Sequence, residues 1–268
     1  CTGVVTANVN VNALPVATIT PSGATTFCDG GSVTLTASAG DSYMWSNGLQ
    51  TASITVTTAG NYSVQVTNAA GCVTTSAVTA VVVNPLPTAT ITANGSTTFC
   101  QGGSVTLTAS AGSSYLWSNG ATTSSITVNA SGNYSVTVTN ANGCSTTSAA
   151  TVVTVNALPV ASISSLNGNT FCQGGSVTLV STPGSTYTWS NNLTTQSIDV
   201  TASANLTVTV TNAAGCSATS APFAVTMNAL PVATITAGGP LTFCQGGSVT
   251  LTANGGTSYT WSNSTATT

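Results

Sequence analysis

Residues 99–108 read Phe-Cys-Gln-Gly-Gly-Ser-Val-Thr-Leu-Thr, and nearly the same ten residues return at Phe27, Phe171 and Phe243. The cysteine of this stretch and a downstream tryptophan each recur every 72 residues, at Cys28, Cys100, Cys172 and Cys244 and at Trp45, Trp117, Trp189 and Trp261. A fixed period of this size is the signature of a tandem array of structural units. We therefore interpret every other motif by its position within the repeat.

The period divides the 268 residues into five segments. Residues 1–12 match the last strand of a preceding repeat, three complete repeats follow, and the last segment is the N-terminal part of a further repeat. We call them repeat 1 (13–84), repeat 2 (85–156), repeat 3 (157–228) and repeat 4 (229–268). Because the sequence starts and stops inside a repeat, we expect it to belong to a longer protein.

Each repeat is entered through a tetrapeptide of the form Asn-x-Leu-Pro, at residues 12–15, 84–87, 156–159 and 228–231. Proline fixes its own φ angle and restricts the preceding residue to extended conformations. The tetrapeptide, which we call the connector, therefore predicts short and stiff joints between repeats.

Alternation of apolar and hydroxyl residues predicts strands throughout each repeat. In repeat 2 the predicted strands cover residues 88–91, 97–99, 104–108, 115–117, 125–128, 133–138 and 144–155, with turns at Asn94-Gly95, Asn119-Gly120 and 140–143. No helical period occurs anywhere. Short strands with frequent turn signals predict an all-β protein in which each repeat is a two-sheet sandwich.

The composition argues against several classes of function. The chain has no Lys, Arg or His, and its acidic residues are Asp29, Asp41 and Asp199. Without cations it has nothing to neutralise the phosphates of nucleic acids or the head groups of anionic membranes. Three dispersed Asp residues supply neither a general acid and base pair nor a calcium site. We expect no enzyme activity, no catalytic residues, no metal and no cofactor.

Eight regularly spaced cysteines in a Ser/Thr-rich β-type chain indicate disulfides and an oxidising, extracellular compartment. A zinc site would need a Cys-x-x-Cys motif or histidines, and the sequence has neither. The sequence also has no apolar run of the length that a membrane-spanning helix needs, and no signal-peptide pattern at its start.

The order of motifs resembles a known family. Gly-Ser-Val-Thr-Leu-Thr-Ala, Tyr-x-Trp-Ser-Asn-Gly, Ser-Ile-Thr-Val and Ser-Gly-Asn-Tyr-Ser-Val-x-Val-Thr-Asn resemble strands B, C, E and F of immunoglobulin-like domains. With the Phe-Cys-x-Gly-Gly-Ser-Val-Thr-Leu opening and the Asn-Gly-Cys near the end, the repeats resemble the immunoglobulin-like or PKD-like repeats of giant cell-surface adhesins of Bacteroidetes. The resemblance spans the chain and implies surface display, type IX secretion and roles in cell adhesion or gliding motility.

The cysteines depart from the antibody pattern, because Ala109 and Val136 occupy the positions of the disulfide that crosses the antibody core. Cys28 instead precedes strand B, and Cys72 follows the turn between strands F and G. In the immunoglobulin topology these positions lie at opposite ends of a domain. A B strand of residues 32–39 spans about 26 Å, whereas a disulfide needs Cα atoms within about 7 Å.

Two pairings follow from this placement. Bridges between adjacent repeats, Cys28 with Cys144 and Cys100 with Cys216, are favoured because the end of one repeat abuts the start of the next. Bridges within repeats are the alternative: Cys28 with Cys72, Cys100 with Cys144 and Cys172 with Cys216. On the chain-entropy model either kind contributes roughly 4 to 5 kcal/mol. A bridge between repeats would also stiffen the joint, which a bridge within a repeat would not.

Trp45, Trp117, Trp189 and Trp261 are expected to be core residues of strand C, the alternative being a platform for sugar stacking.

Because the repeats are interchangeable and carry no charged site, the sequence favours an extracellular structural stalk or filament, whose partners are the neighbouring repeats of the same chain. The alternative is that the repeats themselves bind surface polysaccharide or another cell. Thr- and Val-rich strand edges and a near-zero charge also suggest lateral self-association into a fibre.

Overall fold

A computed structural model describes residues 3–263 and 266–267 of the chain, and all of the regular secondary structure in this part is β-strand. The chain forms two compact units, Cys1–Val155 and Asn156–Thr268. The first unit contains repeats 1 and 2, and the second begins with repeat 3. Cys1 and Thr2, which belong to the predicted strand 1–12, lie outside the described residues.

Each complete repeat contains nine short strands. In repeat 1 they are β1 Ile19–Pro21, β2 Thr26–Cys28, β3 Val33–Ala37, β4 Ser42–Trp45, β5 Ser53–Val56, β6 Gly60–Tyr62, β7 Val64–Thr67, β8 Val73–Thr75 and β9 Thr79–Asn84. In repeat 2 they are β10 Ile91–Asn94, β11 Thr98–Cys100, β12 Val105–Ala109, β13 Ser114–Trp117, β14 Ser125–Val128, β15 Gly132–Tyr134, β16 Val136–Thr139, β17 Ser145–Thr147 and β18 Thr151–Asn156.

Repeat 3 follows the same plan, and repeat 4 forms four strands within its described residues. The strands of repeat 3 are β19 Ile163–Ser165, β20 Thr170–Cys172, β21 Val177–Ser181, β22 Thr186–Trp189, β23 Ser197–Val200, β24 Ala204–Leu206, β25 Val208–Thr211, β26 Ser217–Thr219 and β27 Phe223–Asn228. Those of repeat 4 are β28 Thr234–Ala237, β29 Leu251–Asn254, β30 Tyr259–Thr260 and β31 Ala266–Thr267.

One sheet of repeat 2 has the strand order β10-β12-β14, and both pairings are antiparallel. Its central strand β12 alternates Val, Thr, Leu, Thr, so Val105 and Leu107 face inward and are buried while the threonines face outward. The outward Thr106 lies beside Thr127 of β14, with 3.2 Å between the hydroxyl oxygens. This sheet is the equivalent of the A–B–E sheet of an immunoglobulin-like domain.

The opposite layer of repeat 2 is formed by β13-β16-β17 and β11-β18-β15. Strands β15 and β16 are two halves of one F strand, and β17 and β18 are two halves of one G strand. The pairing shifts by one residue between the halves, because Tyr134 opposes Thr151 whereas Thr137 opposes Thr147. At the break, the buried Ser148 accepts a hydrogen bond from Val136 N and donates one to Ala149 O. The serine hydroxyl thus satisfies backbone groups that the shifted register leaves unpaired.

A tryptophan fills the centre of each complete repeat. Trp117 at the end of β13 is 2% exposed, and Trp45 and Trp189 are buried to the same degree. The indole Nε1 of Trp117 donates a hydrogen bond of 2.8 Å to Thr123 O, so the polar atom of the ring is satisfied inside the core. Leu107, Val136 and Val138 pack around it. These tryptophans therefore have no face open for stacking on a sugar.

A tyrosine at the start of the F strand closes one corner of the core in two repeats. The hydroxyl of Tyr62 donates to Thr58 O at 3.1 Å, and that of Tyr134 donates to Ala130 O at the same distance. Such a tyrosine corner is typical of immunoglobulin-like sandwiches. Repeat 3 has the buried Leu206 at this position and fills the space without the hydrogen bond.

The prediction of tandem immunoglobulin-like sandwiches is confirmed by these strands and their pairing. Two details of the strand prediction in repeat 2 are wrong. The predicted strands 133–138 and 144–155 are each divided in two, because of the register shift at Ser148. The predicted strand 88–91 overlaps β10 Ile91–Asn94 only at Ile91. Residues 3–12 are exposed and are assigned no strand, and their identity as the last strand of a preceding repeat stays a prediction.

Candidate functional site at the junction between repeats

The junction between repeats 1 and 2 begins at the end of β2. This strand runs parallel to β9, and Cys28 lies opposite Asn84, the first residue of the connector. Asp29 N donates to Asn84 O at 2.9 Å, and Gly31 N donates to Cys28 O at 2.9 Å. The end of β2 is thus held directly beside the point where the chain leaves repeat 1.

The two glycines after Cys28 are needed for this tight turn. Gly30 has a φ of +86°, which side chains other than glycine rarely adopt. A Cβ added to Gly31 would lie 2.9 Å from Cys28 O and 3.0 Å from a ring carbon of Phe27. The Phe-Cys-x-Gly-Gly motif therefore fixes the position of the cysteine at one end of the repeat.

The other half of the junction is the turn between the F and G strands of repeat 2, residues 140–144. The Oδ1 atom of Asn140 accepts hydrogen bonds from Asn142 N and Cys144 N, both at 3.0 Å. The Nδ2 atom of Asn140 donates to Pro85 O of the connector at 2.9 Å. One amide side chain thus shapes the turn and binds the connector at the same time.

A disulfide joins the two halves. Cys28 is bonded to Cys144 with a Cα to Cα distance of 5.6 Å. Cys144 is 1% exposed, and its Sγ atom lies 3.9 Å from Asn84 O. The connector at Asn84 and Pro85 therefore lies between the turn after β2 on one side and the F–G turn on the other, with a covalent bond across it.

The same F–G turn occurs in repeats 1 and 3. Asn68 Nδ2 donates to Ala13 O at 2.8 Å, and Asn212 Nδ2 donates to Ala157 O at 2.9 Å. In each case the amide oxygen accepts from the backbone N of the following cysteine, Cys72 or Cys216, and that Sγ atom lies 3.9 Å from the connector carbonyl of Asn12 or Asn156. The turn and its connector contact are thus formed whether or not the cysteine is bonded.

The other cysteines within the described residues divide into two groups. Cys100 and Cys216 are disulfide-bonded, and their pairing with each other stays a prediction. Cys72, Cys172 and Cys244 are free thiols. The alternative bridges within repeats do not form, since each of those three pairs contains a cysteine that is free or bonded elsewhere. Cys28 and Cys72 cannot pair because they lie at opposite ends of their sandwich, as the immunoglobulin topology predicts.

Asn140 and its equivalents were not identified as functional residues by the sequence analysis, which interpreted residues 140–143 only as a hairpin turn. The available signal was the recurrence of Asn68, Asn140 and Asn212 exactly four residues before a cysteine. An Asn followed by a turn often bonds its own backbone two residues on. The second bond, to a carbonyl 55 residues earlier in the chain, depends on how two repeats meet and leaves no local pattern.

The surface carries very little charge. Asp29, Asp41 and Asp199 are all exposed, and Asp199 accepts a hydrogen bond of 2.6 Å from the Thr178 hydroxyl. The described residues contain no group of three or more His, Cys, Asp or Glu residues that could hold a metal ion. No helix in the described part of the chain is long and apolar enough to cross a membrane.

Repeat 1 contains an open groove. It has a volume of about 520 Å³ and is lined by Asp41, Tyr43, Met44 and Gln50, among others. The equivalents of Asp41 in repeats 2 and 3 are Ser113 and Ser185, so a carboxylate at this position occurs in repeat 1 alone among the complete repeats. The charge in the groove is therefore a feature of one repeat and not of the array.

No family model matches the chain, and no curated protein matches it. Similar solved structures include three domains of the highly immunogenic outer capsid protein of bacteriophage RB49, 18% identical over 80% of this chain and 100% of that one, with a TM-score of 0.29. Extracellular domains 3–5 of Drosophila OTK are 15% identical over 81% of this chain and 100% of that one, with a TM-score of 0.31.

The fibronectin(III)-like modules of Clostridium thermocellum CbhA are 15% identical over 52% of this chain and 95% of theirs, with a TM-score of 0.27. At these values the similarities decide nothing about function or ancestry. The assignment of the repeats as immunoglobulin-like sandwiches therefore depends on the order and register of the chain's own strands.

Proposed function

We propose that the chain is an extracellular structural segment of a large bacterial surface adhesin, in which disulfide-bonded immunoglobulin-like repeats set the length and stiffness of a stalk. The observation that carries the proposal is the Cys28–Cys144 bond across the connector. The bond lies outside the hydrophobic clusters around Trp45 and Trp117 and joins the two repeats directly. An extracellular location agrees with disulfides, which persist in oxidising compartments.

A stalk also needs a surface that stays inert over many repeats. Because the chain has no Lys, Arg or His, it offers no cleavage site for proteases that cut after basic residues. The absence of cations also leaves nothing to hold anionic polymers. The resemblance to adhesin repeats supplies the remaining parts of the proposal: display on the cell surface, the type IX secretion route, and a source among the Bacteroidetes.

Electron microscopy of the purified chain before and after reduction tests the stalk proposal. With the Cys28–Cys144 bond intact, repeats 1 and 2 should meet at one narrowly distributed angle. Reduction should widen that distribution while each repeat stays folded, because the core of a repeat contains no disulfide. Equal angular spreads in both states would contradict a stiffening role for the bond.

A second candidate function is polysaccharide binding, and the groove of repeat 1 is the observation that favours it. Asp41 and Gln50 are polar groups of the kind that hydrogen-bond sugar hydroxyls. Retention of the chain on a polysaccharide column should fall in the double variant Asp41→Asn, Gln50→Ala. The matched control is Ser113→Ala, Thr122→Ala at the equivalent positions of repeat 2. No retention of the unmodified chain would eliminate this candidate.

We also propose lateral association of stalks into a fibre as a consequence of the unpaired edges. Strands β4 and β5 each pair with a neighbour on one side only. The acidic and basic residues that commonly protect such edges are almost absent from this sequence. Sedimentation of the purified chain over a range of concentrations tests this proposal, and a monomer at all concentrations would contradict it.

A further inference from the structure

We propose that the Cys28–Cys144 bond is a force bypass, which removes most of repeats 1 and 2 from the path of tension along the chain. The inference rests on the proposed stalk function, since only a stalk under tension would use it. It concerns mechanics at large extension, and stiffness at rest is a separate property.

The argument starts from the order of the strands along the chain. Strands β1 and β2 precede Cys28, and strands β17 and β18 follow Cys144. All the strands from β3 to β16 lie between the two cysteines. When the chain is pulled at its ends, tension passes from residue 28 to residue 144 through the sulfur atoms. Where Cys28–Cys144 is the only bond, the fourteen strands in between form a closed loop that bears no covalent load.

Without the bond, the same tension would act on the parallel pair β2 and β9. Only three residue pairs form this contact: Thr26 with Val82, Phe27 with Val83 and Cys28 with Asn84. The chain leaves repeat 1 directly from the end of β9, so pulling would shear β9 away from β2. Once this pair separates, the G strand leaves the sandwich and the core around Trp45 is opened.

With the bond in place, separation of β9 from β2 does not extend the chain. Cys28 is attached to the F–G turn of repeat 2, and that turn also holds the connector through Asn140. Moving β9 past β2 therefore no longer lengthens the path between the ends of the chain. The bond thus acts at the joint between the repeats, where the connector would otherwise be the only covalent link.

The geometry predicts a specific hidden length. The two cysteines are 116 residues apart in sequence. At about 3.3–3.6 Å per extended residue this length is about 40 nm. A molecule with the bond intact should therefore unfold to a contour length about 40 nm shorter than the same molecule without it.

Force spectroscopy of the full chain, held by folded handle domains at both ends, measures this length. The informative variant has Ser in place of Cys1, Cys72, Cys100, Cys172, Cys216 and Cys244, so that Cys28 and Cys144 are the only possible pair. The control variant carries Cys28→Ser in addition. We expect the final contour length of the first variant to be about 40 nm shorter. A dithiol, which is oxidised to a disulfide as it reduces the bond to two thiols, should remove the difference.

Equal contour lengths of the two variants under oxidising conditions would overturn the bypass. If the multiple substitutions prevent folding, the unmodified chain with and without the dithiol replaces the pair of variants. Its contour length should grow by at least about 40 nm on reduction, and no growth would overturn the inference. The two proposals are tested by different measurements. If force spectroscopy shows the difference of about 40 nm but microscopy shows compact single particles, the bypass is supported and the stalk function is rejected.

Discussion

Repeats 2 and 4 carry almost the same opening sequence and have very different structures. In repeat 2, Leu107 is 0% and Trp117 is 2% exposed, and Cys100 is disulfide-bonded. The equivalent Leu251 of repeat 4 is 41% exposed, Trp261 is only half-buried, and Cys244 is a free thiol. Trp45, Trp117 and Trp189 are core residues, whereas a core position for Trp261 stays a prediction, because the sequence contains only the N-terminal part of repeat 4.

The difference lies in the strands of each repeat that the given sequence contains. Strand β12 of repeat 2 is held between β10 and β14, whereas β29 of repeat 4 pairs with β28 alone. In repeat 2 the F strand supplies Val136 and Val138 to the layer that covers Trp117. The motif Gly-Ser-Val-Thr-Leu-Thr thus determines which side chains face inward. Burial of those side chains requires strands that come 20 to 50 residues later.

The largest effect is expected from making Cys28 of repeat 1 free, as Cys244 is in repeat 4. Replacing Cys144 with Ser removes the bond that closes the loop between residues 28 and 144. On the chain-entropy model the loss is about 4 to 5 kcal/mol for unfolding of repeats 1 and 2 together. Denaturant unfolding followed by tryptophan fluorescence measures it.

The control for this prediction is Cys244→Ser, which alters an exposed free thiol and should leave the midpoint unchanged. Equal shifts in the two variants would mean that the Cys28–Cys144 bond contributes nothing to stability. The unmodified chain is also unfolded after reduction. If Cys144→Ser loses stability and the reduced chain does not, the loss comes from the substitution and not from the missing bond.

A slightly smaller effect is expected from Trp117→Ala, which removes the residue that most distinguishes the two repeats. Deleting a buried indole costs about 3 to 5 kcal/mol, because a cavity remains and packing is lost. Hydrogen exchange should show repeat 2 losing protection while repeat 3 keeps it. Trp261→Ala is the matched control, and it should change exchange in repeat 4 by much less, since that ring is already half-exposed.

The same comparison explains how far the sequence predicts the fold. Strand β14 has the bounds that alternation predicts, because Ile126 and Val128 face the core of a regular antiparallel pair. The F and G strands were predicted without their breaks. Alternation of residue types indicates the inward face, but a one-residue register shift depends on a hydroxyl that replaces a backbone partner, as in Ser148.

The junction was predictable in part for a related reason. The order of strands in the sandwich places Cys28 and Cys72 at opposite ends of a domain, and this argument leads to Cys144 as a partner. The contact of Asn140 with Pro85 has no counterpart in the sequence pattern. It depends on the path of the connector between two folded domains, which is a property of their packing.

A third prediction concerns this amide. Asn140→Ala removes three hydrogen bonds, two within the turn and one to the connector. At about 0.5–1.5 kcal/mol for each bond, the loss should be about 1.5 to 4.5 kcal/mol. Asn142→Ala, in an exposed residue of the same turn, is the control. Thermal unfolding of both variants measures the difference, and an equal loss in the two would refute a special role for Asn140.

The smallest effect is expected at the turn that follows the tryptophan, where complete repeats differ from one another. Gly48 and Gly120 have φ angles of +87° and +85°, and the equivalent Asn192 of repeat 3 has a φ of +67°. Asn tolerates this left-handed conformation because its short amide bonds locally, whereas Ala incurs about 1 kcal/mol of steric strain. Thermal unfolding should therefore show Gly120→Ala as less stable than Gly120→Asn. The reverse order would mean that repeat 3 has Asn192 for a reason other than backbone conformation.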